Sequence, residues 1–263
     1  MRAISWLLAG FAFLSFSASA RAAETQVAVA ANFAGPMQVL AEKFAKKTGH
    51  HAVIVSGATG KLSAQIQNGA PFEVFLSADM TTPQKLEEQG LAVRGSRFTY
   101  ARGRLVLYGP RPDLGQNGEA TLKAGEFAHL AIANPKLAPY GAAALSVLVK
   151  LGLKAALEPK LVIGENISQT MQFVESGNAE LGFVALSQVQ VPGKPQSGSF
   201  WLVPSSLYDP IRQDAALLLH GEHNQAARAL LDYLKTDEAK AVIVSYGYEL
   251  EQKPKTNAPS AKH

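Results

Sequence analysis

The sequence predicts an α/β protein of two lobes, each a mostly parallel sheet flanked by helices. Three observations carry that expectation. Strand-period and helix-period stretches alternate along the chain, as they do where helices connect parallel strands. The alternation falls into two groups, 27–77 and 130–185. Extended runs near 105–108 and 201–219 lie outside those groups and can cross between lobes.

Each element follows from local pattern. Residues 26–31 read as a short apolar strand and 36–47 as a helix. Pro36 suits the first turn of that helix, Met37, Leu40, Ala41 and Phe44 share one face, and Gly49 ends it. Strand 52–55 leads into helix 60–68, stopped by Gly69. Strand 73–77 precedes a helix opened by Thr82-Pro83 and closed at Gly90. Residues 98–101 and 105–108 are extended, and 129–133 is a strand. Helix 141–151, with Leu145, Leu148 and Val149 turned inward, ends at Gly152. Strand 161–163, helix 168–176 with its stop at Gly177, and strand 181–185 complete the second group. An irregular stretch, 192–206, precedes strand 215–219 and helices 224–235 and 238–246. Residues 253–263 are polar and rich in Lys and Pro, the composition of a disordered tail.

The N-terminus has the build of a secretory signal. Arg2 is its charged start, 4–16 an apolar core too short to span a bilayer, and small residues follow up to Ala23. The expected product is a soluble, exported chain with no cysteine to staple. Loss of Arg2 and Arg21 with the leader would leave 23 basic against 21 acidic residues. That near-neutral, scattered charge gives no footprint for nucleic acid.

"VSGATGKLSA", residues 55–64, poses the functional question. A P-loop needs Gly, four residues, Gly-Lys, then Ser or Thr. Here Val55 stands where the first Gly belongs and Leu62 where the hydroxyl belongs. What remains is a strand running into a helix start, which offers N–H donors and the positive end of a dipole. Four strand-to-helix turns share this form: 31–35, 56–60, 134–141 and 164–168. Two lie in each group, and in α/β sheets ligands sit beyond the carboxyl ends of the strands. Their residues are small or neutral: Ala31-Asn32, Ala58-Thr59, Pro139-Tyr140, and Asn166-Ile167-Ser168. Lys61 and Glu165 are the charges read beside them.

Such turns lack the nucleophile with partnered base, or the metal cluster, that an enzyme site requires. Gly-x-Ser-x-Gly and His-Glu-x-x-His are both absent. His220 and His223 read as a solvated loop without a third ligand. His50-His51 suits a helix exit, and Asp79 suits a cap. An unprotonated oxyanion needs only donors, which backbone N–H groups, Asn and Thr provide. The same residues could instead cap helices, because capping and anion binding compete for the same N–H groups.

Longer stretches carry a resemblance. These are "VAVAANFAGPMQVLAEKFAKKTGH", "SGATGKLSAQIQNGAPFEVFLSAD", "SRFTYARGRLVLY", "IANPKLAPYGAAALSVLVKLGL", "GENISQTMQFVESGNAELGFVALSQV" and "YLKTDEAKAVIVSYGYEL". In this order they resemble periplasmic molybdate-binding proteins of molybdate ABC transporters, the ModA family, from about residue 24 to 249. The resemblance implies a two-lobed type II periplasmic-binding-protein fold. It implies a monomeric receptor that holds molybdate or tungstate between lobes and passes it to an inner-membrane permease, with no cofactor, no cation ligand and no chemical step. The alternatives are a receptor for another oxyanion such as sulfate, or a secreted α/β hydrolase. By motif, the ligand-binding residues are Ala31, Asn32, Ala58, Thr59, Tyr140 and Ile167, the last two through backbone N–H groups. The layout implied is a signal at 1–23, lobe one at 24–104 and 206–252, lobe two at 105–205, and a tail at 253–263. Two departures stand out. Many relatives have Ser at Asn32, although Asn also donates. Many have a Tyr hydroxyl near Ala185, where this chain reads "GFVAL".

Overall fold

The computed structural model describes residues 22–251 apart from 196. The expected tail lies outside them, as does the expected leader but for its last two residues. Two five-stranded sheets organise the chain.

The first sheet is built mostly from the N-terminal part. It contains β1 (Glu24–Ala30), β2 (His51–Gly57), β3 (Val74–Leu76) and β4 (Phe98–Gly103). Helices α1 (Ala34–Thr48), α2 (Thr59–Gln67) and α3 (Thr81–Glu88) connect them. The second sheet contains β5 (Leu105–Gly109), β6 (Leu130–Ala133), β7 (Leu161–Gly164), β8 (Leu181–Ala185) and β9 (Ser199–Leu202). Between these strands run α4 (Leu114–Ala124), α5 (Pro139–Lys150), α6 (Lys154–Leu157), α7 (Ile167–Glu175) and α8 (Leu186–Val189). The last strand, β10 (Ile211–Leu217), returns to the first sheet, and α9 (Gln225–Leu234) and α10 (Asp237–Ser245) follow it.

Strand order is β2-β1-β3-β10-β4 in the first sheet and β7-β6-β8-β5-β9 in the second. In each, four strands run one way and one, β10 in the first sheet and β5 in the second, runs against them. Each sheet is therefore mostly parallel in strand direction and mixed through that one reversed strand. The physical reason lies in the segments that travel between them. One residue, Arg104, separates β4 in one sheet from β5 in the other, and the chain comes back between β9 and β10. Neither β5 nor β10 ends a helical crossover, so nothing forces either one parallel to its neighbours.

Each sheet carries its own core. Val27, Val29, Phe33, Met37, Leu40 and Phe44 are fully buried against the first. Leu105, Leu107, Leu130, Ile132, Val147 and Phe183 are fully buried in the second. Gly49 ends α1 in the left-handed conformation expected of a C-terminal glycine.

Several elements differ from the sequence reading. On α5 the buried face is Tyr140, Ala143, Ala144, Val147 and Leu148, while Val149 is 55% exposed. Small alanines define that face, which hides its phase in a hydropathy pattern. Helix α4 was not expected, since Gly115, Asn117 and Gly118 are weak helix formers. Its Gly118 packs on Trp201 of β9, where a Cβ would come within 2.3 Å of the side chain. Strand β9 lies inside the stretch read as irregular. Helix α3 begins before Thr82 and takes its cap from Asp79, whose carboxylate accepts from the Thr82 N–H at 2.7 Å. Among the described residues no single helix is long and apolar enough to cross a membrane.

Candidate functional site

The turns after β1, β2, β6 and β7 converge. Ala31, Asn32, Ala58, Thr59, Tyr140 and Ile167 all line one small cavity. The first four follow strands of one sheet and the last two follow strands of the other. All six are buried. None of the residues around the cavity carries a formal charge.

Donors dominate this space. Thr59 is the first residue of α2 and Tyr140 the second of α5. Their N-cap residues are Ala58 and Ala138, which have no side-chain acceptor to cap with. At α7 the cap is Asn166, whose Oδ1 accepts from the N–H groups of Ser168 (2.9 Å) and Gln169 (3.0 Å) but leaves that of Ile167. Among the described residues, the N–H groups of Thr59, Tyr140 and Ile167 meet no acceptor. Three helix starts thus offer donors and dipole to one point. Capping and anion binding do not compete at α2 and α5. The Thr59 hydroxyl accepts from the Ala78 N–H at 3.1 Å, which leaves its own proton to be donated elsewhere.

Asn32 differs from expectation. Its side-chain amide donates to Gln213 Oε1 (2.7 Å) and to the Tyr248 hydroxyl (2.9 Å). Both amide protons are therefore engaged inside the protein, and the residue meets the cavity without a free side-chain donor. Its carbonyl accepts from Ser187 Oγ (2.9 Å) and from the Tyr248 hydroxyl (2.8 Å). Behind the cavity, Gln213 also bonds Tyr100 (3.1 Å) and Tyr140 (3.4 Å). Burial holds the Tyr100 and Tyr140 hydroxyls well above the usual tyrosine range, and pushes that of Tyr248 up to about 12. These groups stay neutral near physiological pH and add no negative charge.

The charged neighbours stay outside. Lys61 and Glu165 are half-exposed and pair with each other, so the ammonium meets a carboxylate as well as solvent. Their pairing joins the α2 side of the cleft to the turn before α7. A third charge, Lys136 in the turn before α5, lines the neighbouring groove rather than the cavity. A backbone bond from Gly60 N–H to the Leu137 carbonyl (2.9 Å) closes the same seam. His50 accepts from the Ala23 N–H through Nδ1, a structural role. Among the described residues no cluster of three or more His, Cys, Asp or Glu could hold a metal ion.

Residues 25–249 match the bacterial extracellular solute-binding proteins. The chain belongs to this family. Among its solute-binding relatives, the molybdate-binding protein of Azotobacter vinelandii is 59% identical over 233 residues, covering 89% of this chain and 92% of that protein. The molybdate-binding protein of Rhodobacter capsulatus is 52% identical, covering 88% of this chain and 90% of the other. A solved structure of a periplasmic molybdate-binding protein of Azotobacter vinelandii superposes with a TM-score of 0.83 at 42% identity, covering 87% of this chain and all of that one. The fold is thus the two-lobed type II fold of such receptors, with helices flanking two mixed sheets.

Proposed function

We propose that the chain is a periplasmic receptor for molybdate and tungstate that delivers the oxyanion to an inner-membrane ABC permease. One observation carries the reading. Four turns, two from each sheet, surround a cavity with neutral hydrogen-bond donors and no charged side chain. A dianion without a proton is complementary to such a shell. The high identity to two molybdate-binding proteins supports the choice of anion. In this reading Ala31, Asn32, Ala58, Thr59, Tyr140 and Ile167 form the site. Residues 24–104 and 206–252 form one lobe and 105–205 the other. The receptor is exported as a monomer and performs no chemical step, so it calls for no cofactor.

A thermal melt tests the reading. Saturating ligand stabilises the folded state by RT ln(1 + [L]/Kd), about 4 kcal/mol at a thousandfold excess over Kd. Isothermal titration with molybdate should give one site per chain. Absence of both signals would overturn the assignment.

A further inference from the structure

We propose that Gln213 is a positioning residue that sets the spacing of the two halves of the anion site. The inference rests on reading the cavity as that site. Gln213 is fully buried on β10, at a register irregularity where this strand pairs with β4. Burying an amide there is costly unless its groups are bonded. Its Oε1 accepts from Asn32 Nδ2 (2.7 Å) and from the Tyr100 hydroxyl (3.1 Å). Its Nε2 donates to the Tyr140 hydroxyl (3.4 Å). Asn32 follows β1 of the first sheet, and Tyr140 follows β6 of the second. One side chain therefore touches a cavity residue from each sheet, without lining the cavity itself.

The neighbouring backbone is shaped around that contact. Gly103 ends β4 beside it, and a Cβ there would lie 2.0 Å from the Tyr140 hydroxyl and 2.7 Å from Gln213 Nε2. Only a glycine lets the strand pass this close. Asn32 is held again from behind by Tyr248 and Ser187, so its backbone has little freedom to follow a displaced Gln213. Tyr140 donates to the cavity through its N–H while its hydroxyl is anchored by Gln213. The distance between the Asn32 turn and the Tyr140 donor is thus set through one amide. Donor spacing is what distinguishes a large tetrahedral anion from a smaller one.

The test is Gln213→Leu, with Tyr100→Phe as the comparison. Tyr100→Phe removes a bond to Gln213 but none to Asn32 or Tyr140. Titrations with molybdate and sulfate are run well below each melting midpoint. Gln213→Leu should weaken molybdate binding about tenfold and narrow the molybdate-to-sulfate ratio. Tyr100→Phe should lower the melting midpoint while leaving both affinities within about twofold of wild type. A Gln213→Leu protein that melts earlier but keeps both affinities overturns the inference. If that variant does not fold, Gln213→Asn retains the amide but is too short to reach both partners. It should show the same narrowing, and unchanged affinities would again overturn the inference. Wild-type protein that binds no oxyanion would overturn the reading of the cavity itself, a result distinct from tight wild-type binding with silent variants.

Discussion

Thr59 and Lys61 stand two residues apart at the start of α2 and do different things. The Thr59 hydroxyl is buried and already accepts from Ala78, so its proton is directed by the protein rather than by solvent. Lys61 carries the full charge that a nucleotide reading would favour, but its ammonium is half-exposed and paired with Glu165. Exposed ion pairs contribute about 0–1 kcal/mol and are screened by salt. Thr59→Ala should therefore cost about 1–3 kcal/mol of molybdate binding, because a buried charged acceptor loses a donor. Lys61→Ala should cost under about 1 kcal/mol, and that cost should shrink further as salt is raised. Titration of both variants at two ionic strengths checks the pair. A larger loss at Lys61 would mean that the ammonium, not the neutral shell, holds the anion.

At the scale of elements, the helix starts decide the site, and they differ in how they are capped. Asn166 binds two N–H groups of α7 and leaves the first one open, so it orders the turn without closing it. Asn166→Ala should lower stability by about 1 kcal/mol, measured by denaturant unfolding without ligand. An unchanged midpoint would show that packing alone fixes this turn. These starts were legible in the sequence because each follows an apolar strand and opens with small or capping residues. The six residues that the resemblance implies fall at these starts and at the turn after β1, and all line one cavity. The parts that were not legible depend on distant partners. Gln213 bonds Asn32 across 181 positions and Tyr248 does so across 216, and no local pattern announces either contact. Asn32 itself looked like a side-chain donor for the same reason. Helix α4 is likewise specified by its packing on Trp201, against the propensity of its two glycines. The reversed strand of each sheet, β10 or β5, was not legible because direction is set by which sheet a segment joins, not by its own residues.

For the whole molecule, the question is why one oxyanion should be preferred. The two sheets meet across the cavity through the Gly60–Leu137 backbone bond and the Lys61–Glu165 pair, which bring the donors of each side together. Near neutral pH, molybdate, tungstate and sulfate are dianions with no proton, whereas phosphate retains at least one. No carboxylate lines the cavity, and Glu165 is engaged with Lys61 outside it. The phosphate proton would then face a donor. Leaving such a group unsatisfied costs about 1–3 kcal/mol, roughly ten- to a hundredfold in affinity. Sulfate avoids that penalty but is the smaller tetrahedron. With donors held apart for a larger ion, it cannot meet both halves of the site at good hydrogen-bond distance, and its bonds lengthen and weaken. The expected order is molybdate close to tungstate, then sulfate, then phosphate. Competition titrations across pH check it, since phosphate should fall further behind wherever it holds its proton. Phosphate binding as tightly as molybdate would refute a shell made of donors alone and, with it, the expected order of anions.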